Sequence, residues 1–218
     1  MRLYYLTNLH HGLSNLALRR IKISRFSDLN DPFELLAVDL KDRRHRKAFR
    51  EMKEKLNETK GLICLSKTWE NPLLWGHYAE RHTGLALGFD VSDRHVSKVI
   101  YAKIPQVIPI DPKTGQPELT EKQVNRLLRT KFYDWRYEQE MRLFLELDHE
   151  TKESGMYFYG FSPDFALREV ILGPRCEVPI EGVRAVVKDY SPSVKVSQAR
   201  MAFSSFRVVQ NRVATRGK

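Results

Sequence analysis

The sequence predicts an α+β fold: a single mixed, mainly antiparallel sheet with flanking helices. Three observations carry this. Short apolar or alternating runs of strand length recur along all 218 residues. Amphipathic stretches of helical period separate them irregularly, without the strict βαβ alternation of a doubly wound fold. The length and the 42% apolar content support one substantial core, and the 11% of aromatic residues excludes wholesale disorder.

The elements follow in order. Leu3-Tyr4-Tyr5-Leu6-Thr7 is β-prone, and Gly12 to Arg20 reads as a helix with Leu13, Leu16 and Ala17 on one face. Arg19 and Arg20 suit its carboxyl-terminal dipole. Ile21 to Phe26 alternates like a half-buried strand, and Ser27 to Pro32 reads as a loop. Residues 41–59 form a charged helix with a thin stripe of Phe49, Met52 and Leu56, ended by Gly61. Leu62 to Ser66 is a buried-looking strand, and Asn71-Pro72 starts a short helix through Arg81. Gly84 to Phe89 and Val96 to Ile104 each supply strand. Thr120 and Gln123 resemble a capping box for a helix bearing Val124, Leu127, Leu128, Phe132 and Trp135. Met141 to Leu147 alternates cleanly. Val170-Ile171-Leu172 and Val183 to Val187 read as short buried strands, with another expected at Phe203 to Val209. The expected organisation is one domain over residues 1–200 and a basic extension over 201–218.

The net charge of +10 is localised. Residues 41–60 carry nine Lys and Arg against four Asp and Glu, a net of +5, and residues 195–218 carry six against none, a net of +6. Together these make +11, so the other 174 residues sum to −1. A nucleic-acid-binding module would use Arg43, Arg44, Arg46, Lys47 and Arg50 from the first segment and Arg207, Arg212 and Arg216 from the second. The alternative is two solvated faces. No apolar run reaches the roughly 18–20 residues that cross a bilayer, so no membrane partner is expected. The start of the chain lacks a secretory pattern, which points to the cytoplasm. Cys64 and Cys176 are too few for a disulfide scaffold, and Cys64 reads as buried and inert.

Two constellations carry candidate chemistry. Were the strand to begin near Tyr137, Glu138, Glu140 and Arg142 would share one face, with carboxylate-bearing Cα atoms about 7 Å apart. Met141, Leu143, Leu145 and Leu147 would point to the core. Partial burial would couple the two acids, and Trp135 and Tyr137 frame them. The alternative is a solvated face on which Arg142 neutralises the acids, the commoner arrangement for such a composition. The second constellation runs from Ser66-Lys67-Thr68 at a strand end to Trp75, His77 and Tyr78 on the next helix. His77 and His82, five apart, do not share a helical face, and no metal-ligand motif accompanies them. No metal is expected. Asn30-Asp31-Pro32-Phe33-Glu34 is a polar loop suited to scaffolding through bonds to its own backbone.

Together these blocks resemble a bacterial family known as domain of unknown function 2971. The matching stretches are Asn30 to Glu34, Ser66 through Trp75-Gly76-His77-Tyr78, Gly84 to Phe89, Trp135 to Arg142, and Val170 to Pro174. A second resemblance is to ADP-ribosyltransferases, which cleave NAD and transfer ADP-ribose. Glu138-Gln139-Glu140 looks like their Glu-x-Glu motif. Ser66-Lys67-Thr68 with Tyr78 is similar to their second motif, although Lys67 departs from Ser-Thr-Ser. Tyr5 stands where an Arg or His is usual. That resemblance implies an ADP-ribosyltransferase-like fold, NAD as substrate, and Glu140 and Glu138 as catalytic carboxylates. It also implies that Tyr5, Ser66, Thr68, His77 and Tyr78 contact NAD. A macromolecular acceptor such as nucleic acid, a toxin or phage-defence setting, and a protein antitoxin or immunity partner would fit the same chemistry. The competing expectation is the non-catalytic nucleic-acid-binding module, in which Glu138 and Glu140 are structural.

Overall fold

A computed structural model describes residues 1–34, 37–189 and 194–212, except for the side chain of Glu150. In chain order the elements begin with β1 (Arg2–Thr7), α1 (Leu9–Leu18), β2 (Arg20–Ile23), α2 (Arg43–Thr59) and β3 (Lys60–Ser66). Next come α3 (Pro72–Tyr78), β4 (Leu85–Val91), β5 (Val96–Lys98), β6 (Ile100–Ala102), α4 (Glu121–Leu127) and β7 (Thr130–Phe132). A 3-10 helix at Tyr133–Glu138 leads into β8 (Glu140–Glu146). The chain continues through β9 (Lys152–Glu153), β10 (Met156–Gly160), β11 (Phe165–Leu172), α5 (Ile180–Val187), β12 (Lys195–Met201) and β13 (Val208–Gln210). This is a mixed α+β architecture whose strand pairs are mainly antiparallel.

The described chain divides into two compact units. The first comprises Met1–Ile21, Leu65–Arg94 and Gly160–Lys218. Its strands run in the order β13-β12-β11-β4-β1. β1 also pairs at Tyr4 with Ser66, the last residue of β3. β11 and β12 are parallel, which demands a crossover, and α5 supplies it while packing on α1 and β12. The core joins Trp75 and Ala79 to Ala86, Ile171, Ala199 and Val208. Pro72 in the first turn of α3 and Asn71, which accepts from Leu73 N–H, fix where that helix starts.

The second unit comprises Lys22–Cys64 and His95–Tyr159. β3, β8 and β5 are neighbours in that order, and Ser97 of β5 pairs with Arg142 of β8. β6 and β7 form a parallel pair. Phe26, Leu62 and Leu128 make one apolar cluster with Leu56 packed against it, and Val38, Phe49, Ile108 and Leu127 make another with Met52 packed against it. The stripe read from residues 41–59 thus does bury, and Asp42 caps α2 by accepting from Arg44 N–H.

The structure corrects several expectations. Val183 to Val187 is helical rather than a strand: Val183 and Val187, four apart, bury one face of α5. Gly61 does not end α2. It lies inside β3, where a Cβ would come within 2.8 Å of the Ser24 carbonyl oxygen. The helix opened by Thr120 stops at Leu127, because Thr130 turns to pair with Ile100 of β6. Phe132 is consequently 48% exposed instead of lining a helical core face. The strand expected at Phe203 to Val209 is confined to β13, Val208–Gln210, which pairs with β12. Among the described residues no helix is long and apolar enough to cross a membrane.

Candidate functional site

The centre of the second unit holds five charged side chains buried together: Glu34, Lys131, Glu138, Glu140 and Arg142. Four short elements deliver them. β8 begins at Glu140, so period-2 geometry puts Glu140 and Arg142 on one face. Glu138 ends the preceding 3-10 helix rather than extending the strand. Gln139, in the left-handed region at φ 46°, makes the turn between them. β7 contributes Lys131 from a position directly beside Tyr101 of β6. The turn at residues 31–34 contributes Glu34, and there Asp31 accepts from Phe33 N–H at 2.9 Å. That local bond is the scaffolding expected of this loop.

Arg142 is 0% exposed and every part of its guanidinium is used. Nε donates to Glu140 Oε1 at 2.8 Å, Nη1 to the Leu128 carbonyl at 2.7 Å, and Nη2 to Glu34 Oε1 at 2.7 Å. Lys131 Nζ donates to Glu138 Oε2 at 2.6 Å and to Glu140 Oε2 at 3.1 Å, and lies 3.8 Å from Glu34 Oε1. The Trp135 ring sits 4.8 Å from the same ammonium, a cation–π contact. Tyr101 hydroxyl accepts from Glu140 N–H at 2.8 Å. The solvated strand face that composition favoured is therefore overturned. Glu140 is only 4% exposed, because partners from β7 and the 31–34 turn remove it from water.

With all five ionised, three carboxylates face two cations, leaving one excess negative charge. Burial opposes ionisation of Glu140, but the charges of Arg142 and Lys131 outweigh it and hold its carboxyl down to about 2. Burial dominates at Glu34 and raises its pKa despite Arg142. Its Oε2 is buried without a hydrogen-bond partner among the described residues. Burial also penalises the charged forms of Lys131 and Arg142, yet the surrounding carboxylates push both pKa values up. Tyr101 and Tyr137 are each pushed up to about 12, chiefly by burial. Cys64 is half-buried rather than fully buried, and burial beside Glu140 raises its pKa.

A pH dependence follows. The folded pKa of Glu140 lies below its ordinary 4.5, so its contribution is present above that value and lost as pH falls toward about 2. Glu34 acts in the opposite sense, since its raised pKa means stability is recovered as it protonates. Urea unfolding at about pH 5 and about pH 3 is expected to show a fall in stability. Glu140→Gln should flatten that fall and Glu34→Gln should steepen it.

Tyr5, Ser66, Thr68, His77 and Tyr78 all belong to the first unit. Tyr5 is on β1 opposite Leu87 of β4. Ser66 and Thr68 are brought together: Ser66 Oγ donates to the Thr68 carbonyl at 2.7 Å and accepts from Thr68 N–H at 3.1 Å. His77 and Tyr78 adjoin at the end of α3, ring centroids 6.2 Å apart. Of the basic residues, Arg44 is committed to Asp42 at 2.7 Å, and Arg46 to the Leu40 and Lys41 carbonyls at 2.7 Å each. Lys47 lies 3.9 Å from Glu51, and Arg207 pairs with Glu70. Arg43, Arg50 and Arg212 are exposed, and Arg216 lies outside the described residues. Among the described residues no cluster of three or more His, Cys, Asp or Glu is arranged to hold a metal.

Sequence reasoning missed Lys131, Glu34 and Tyr101 as parts of the site. Lys131 did leave a signal: a cation directly before Phe132, between an apolar helix and a Glu-x-Glu, is a candidate counter-ion for those acids. No curated protein and no solved structure matches the chain. Residues 74–143 do match a family described as Protein of unknown function (DUF2971). That stretch contains α3, β4 and the start of β8 with Glu138, Glu140 and Arg142, and it is to this family that the chain is similar.

Proposed function

We propose that the chain is an ADP-ribosyltransferase-like enzyme that cleaves NAD at the nicotinamide–ribose bond. One observation supports this above the rest: a carboxylate pair, Glu138 and Glu140, is buried in one cluster, with Glu140 held ionised by fixed cations. Departure of nicotinamide builds positive charge on the ribose. A preorganised negative charge stabilises that transition state without reorganising at the moment of reaction. In this reading the C1′–N bond breaks with its electron pair leaving on nicotinamide. A nucleophilic oxygen or nitrogen of the acceptor bonds to C1′, and its proton passes to Glu138. Glu140 supplies the fixed charge. The half-buried rings of Trp135 and Tyr137 offer flat apolar surface beside the pair. The test is consumption of NAD by the purified protein, alone and with nucleic acid or lysate added as a source of acceptor. Release of nicotinamide is the expected result, and no release under any condition removes the reading.

A second reading, single-stranded nucleic-acid binding, is favoured by a different observation. Between β12 and β13, Phe203 is 92% and Phe206 99% exposed, within a stretch from 195 to 218 that has six basic and no acidic residues. Arg200 lies 4.2 Å from the Phe203 ring centroid. Exposed aromatics beside guanidinium groups are what bases stack on. Phe203→Ala with Phe206→Ala is expected to weaken binding of a labelled single-stranded oligonucleotide by roughly tenfold or more. Affinity should fall steeply with salt. Fluorescence anisotropy across a salt series measures both, and a flat response would count against this reading.

A further inference from the structure

The first unit contains a cavity of about 280 Å³ lined by Arg19, Phe161, Ser162, Leu167, Arg168 and Val194, among others, with no acidic side chain among its lining residues. Both arginines reach it from backbone irregularities. Arg19 caps α1 in the left-handed conformation, φ 51° and ψ 43°, where glycine is the easy choice and a side chain adds strain. Its carbonyl accepts from Phe161 N–H at 2.8 Å, which ties the cap to the cavity wall. Arg168 sits where the β11–β4 register shifts, between the pairs Leu167–Phe89 and Glu169–Gly88. A bulge of this kind re-aims one side chain out of the alternation of its strand. Asp90 accepts from Arg168 Nε at 3.1 Å, which fixes the plane of the guanidinium. Phe161 is held edge-on against Phe89, with ring centroids 5.0 Å apart.

We infer that this cavity is a separate binding site for a small organic phosphate. The two guanidinium groups take the phosphate, and an aromatic body rests on Phe161, Leu167 and Val194. Arginine matches phosphate oxygens with paired N–H donors. The volume suits one ring with its phosphate and falls just below the usual range for ligand sites. The inference is independent of NAD cleavage, because no lining residue carries a role in that reading.

Phenyl phosphate, inorganic phosphate and phenol serve as probes in titration calorimetry on the full chain. Phenyl phosphate is expected to bind saturably, at least about tenfold more tightly than inorganic phosphate, with no binding of phenol. Arg168→Gln should weaken it by about tenfold or more. Arg19→Gly is the sharper test because its two effects have opposite signs. Relief of the left-handed strain raises the melting temperature by roughly 2–4 °C, while phenyl phosphate affinity falls by about tenfold or more. The inference is overturned if phenyl phosphate shows no saturable binding, if phenol binds as tightly, or if Arg19→Gly keeps full affinity.

Discussion

Replacing Arg142 by methionine is expected to lower folding stability by about 3–5 kcal/mol, because two buried carboxylates lose their main cation. Glu140 Oε1 and Glu34 Oε1 accept from Arg142 at 2.8 and 2.7 Å, and the Leu128 carbonyl loses its donor as well. Methionine fills part of the space and supplies none of the five N–H groups. Urea unfolding at neutral pH measures the effect. The comparison is Arg44→Ala, whose ion pair with Asp42 is on the surface and whose loss should leave the urea midpoint nearly unchanged. A loss at Arg142 no larger than at Arg44 would mean that water reaches the cluster. Adding Glu140→Leu to Arg142→Met should recover part of the loss, since replacing both partners of a buried pair costs less than replacing one.

On the proposed reading, Glu140→Gln is expected to reduce NAD cleavage by roughly 10²–10³-fold, the range seen when one preorganised electrostatic group is removed from a transition state. Glutamine keeps an acceptor oxygen for Arg142 but gives up the charge that Arg142 and Lys131 hold in place. Because the change also perturbs a buried cluster, its circular dichroism and urea midpoint are read alongside the turnover of nicotinamide. A folded Glu140→Gln protein that turns over NAD at the wild-type rate would show that the carboxylate charge is not the catalytic element.

Much of the local structure was legible in the sequence because local rules decide it. The Thr120–Gln123 box, the Asn71-Pro72 start and the Phe49 stripe depend on neighbours within a few residues, and each appears in the fold. What failed depends on distant chain. The alternation along β8 correctly buries Met141 and Leu143, yet the opposite face is buried too. Its cover comes from Lys131 and from Glu34, 108 positions before Arg142, and no periodicity reports that. The valine-rich run at 183–187 satisfies strand propensity and helical spacing alike. Only the parallel pairing of β11 with β12, which needs a crossover, decides for the helix. The candidate site was half visible for the same reason: Glu138, Glu140 and Arg142 are near neighbours in sequence, whereas Lys131, Glu34 and Tyr101 come from three other segments.

The distance between Glu34 and Arg142 also bears on how the protein is made. At about 5–20 residues per second, the ribosome takes roughly 5–20 s to go from one to the other. During that time Glu34, and then Lys131, emerge without the guanidinium that will neutralise the acids. The buried cluster of the second unit cannot be completed until β8 emerges, and Glu34 leaves the exit tunnel well ahead of the guanidinium that pairs with it. A nascent chain halted before residue 142 should be protease-sensitive throughout Lys22–Cys64, and one halted well beyond it should be resistant.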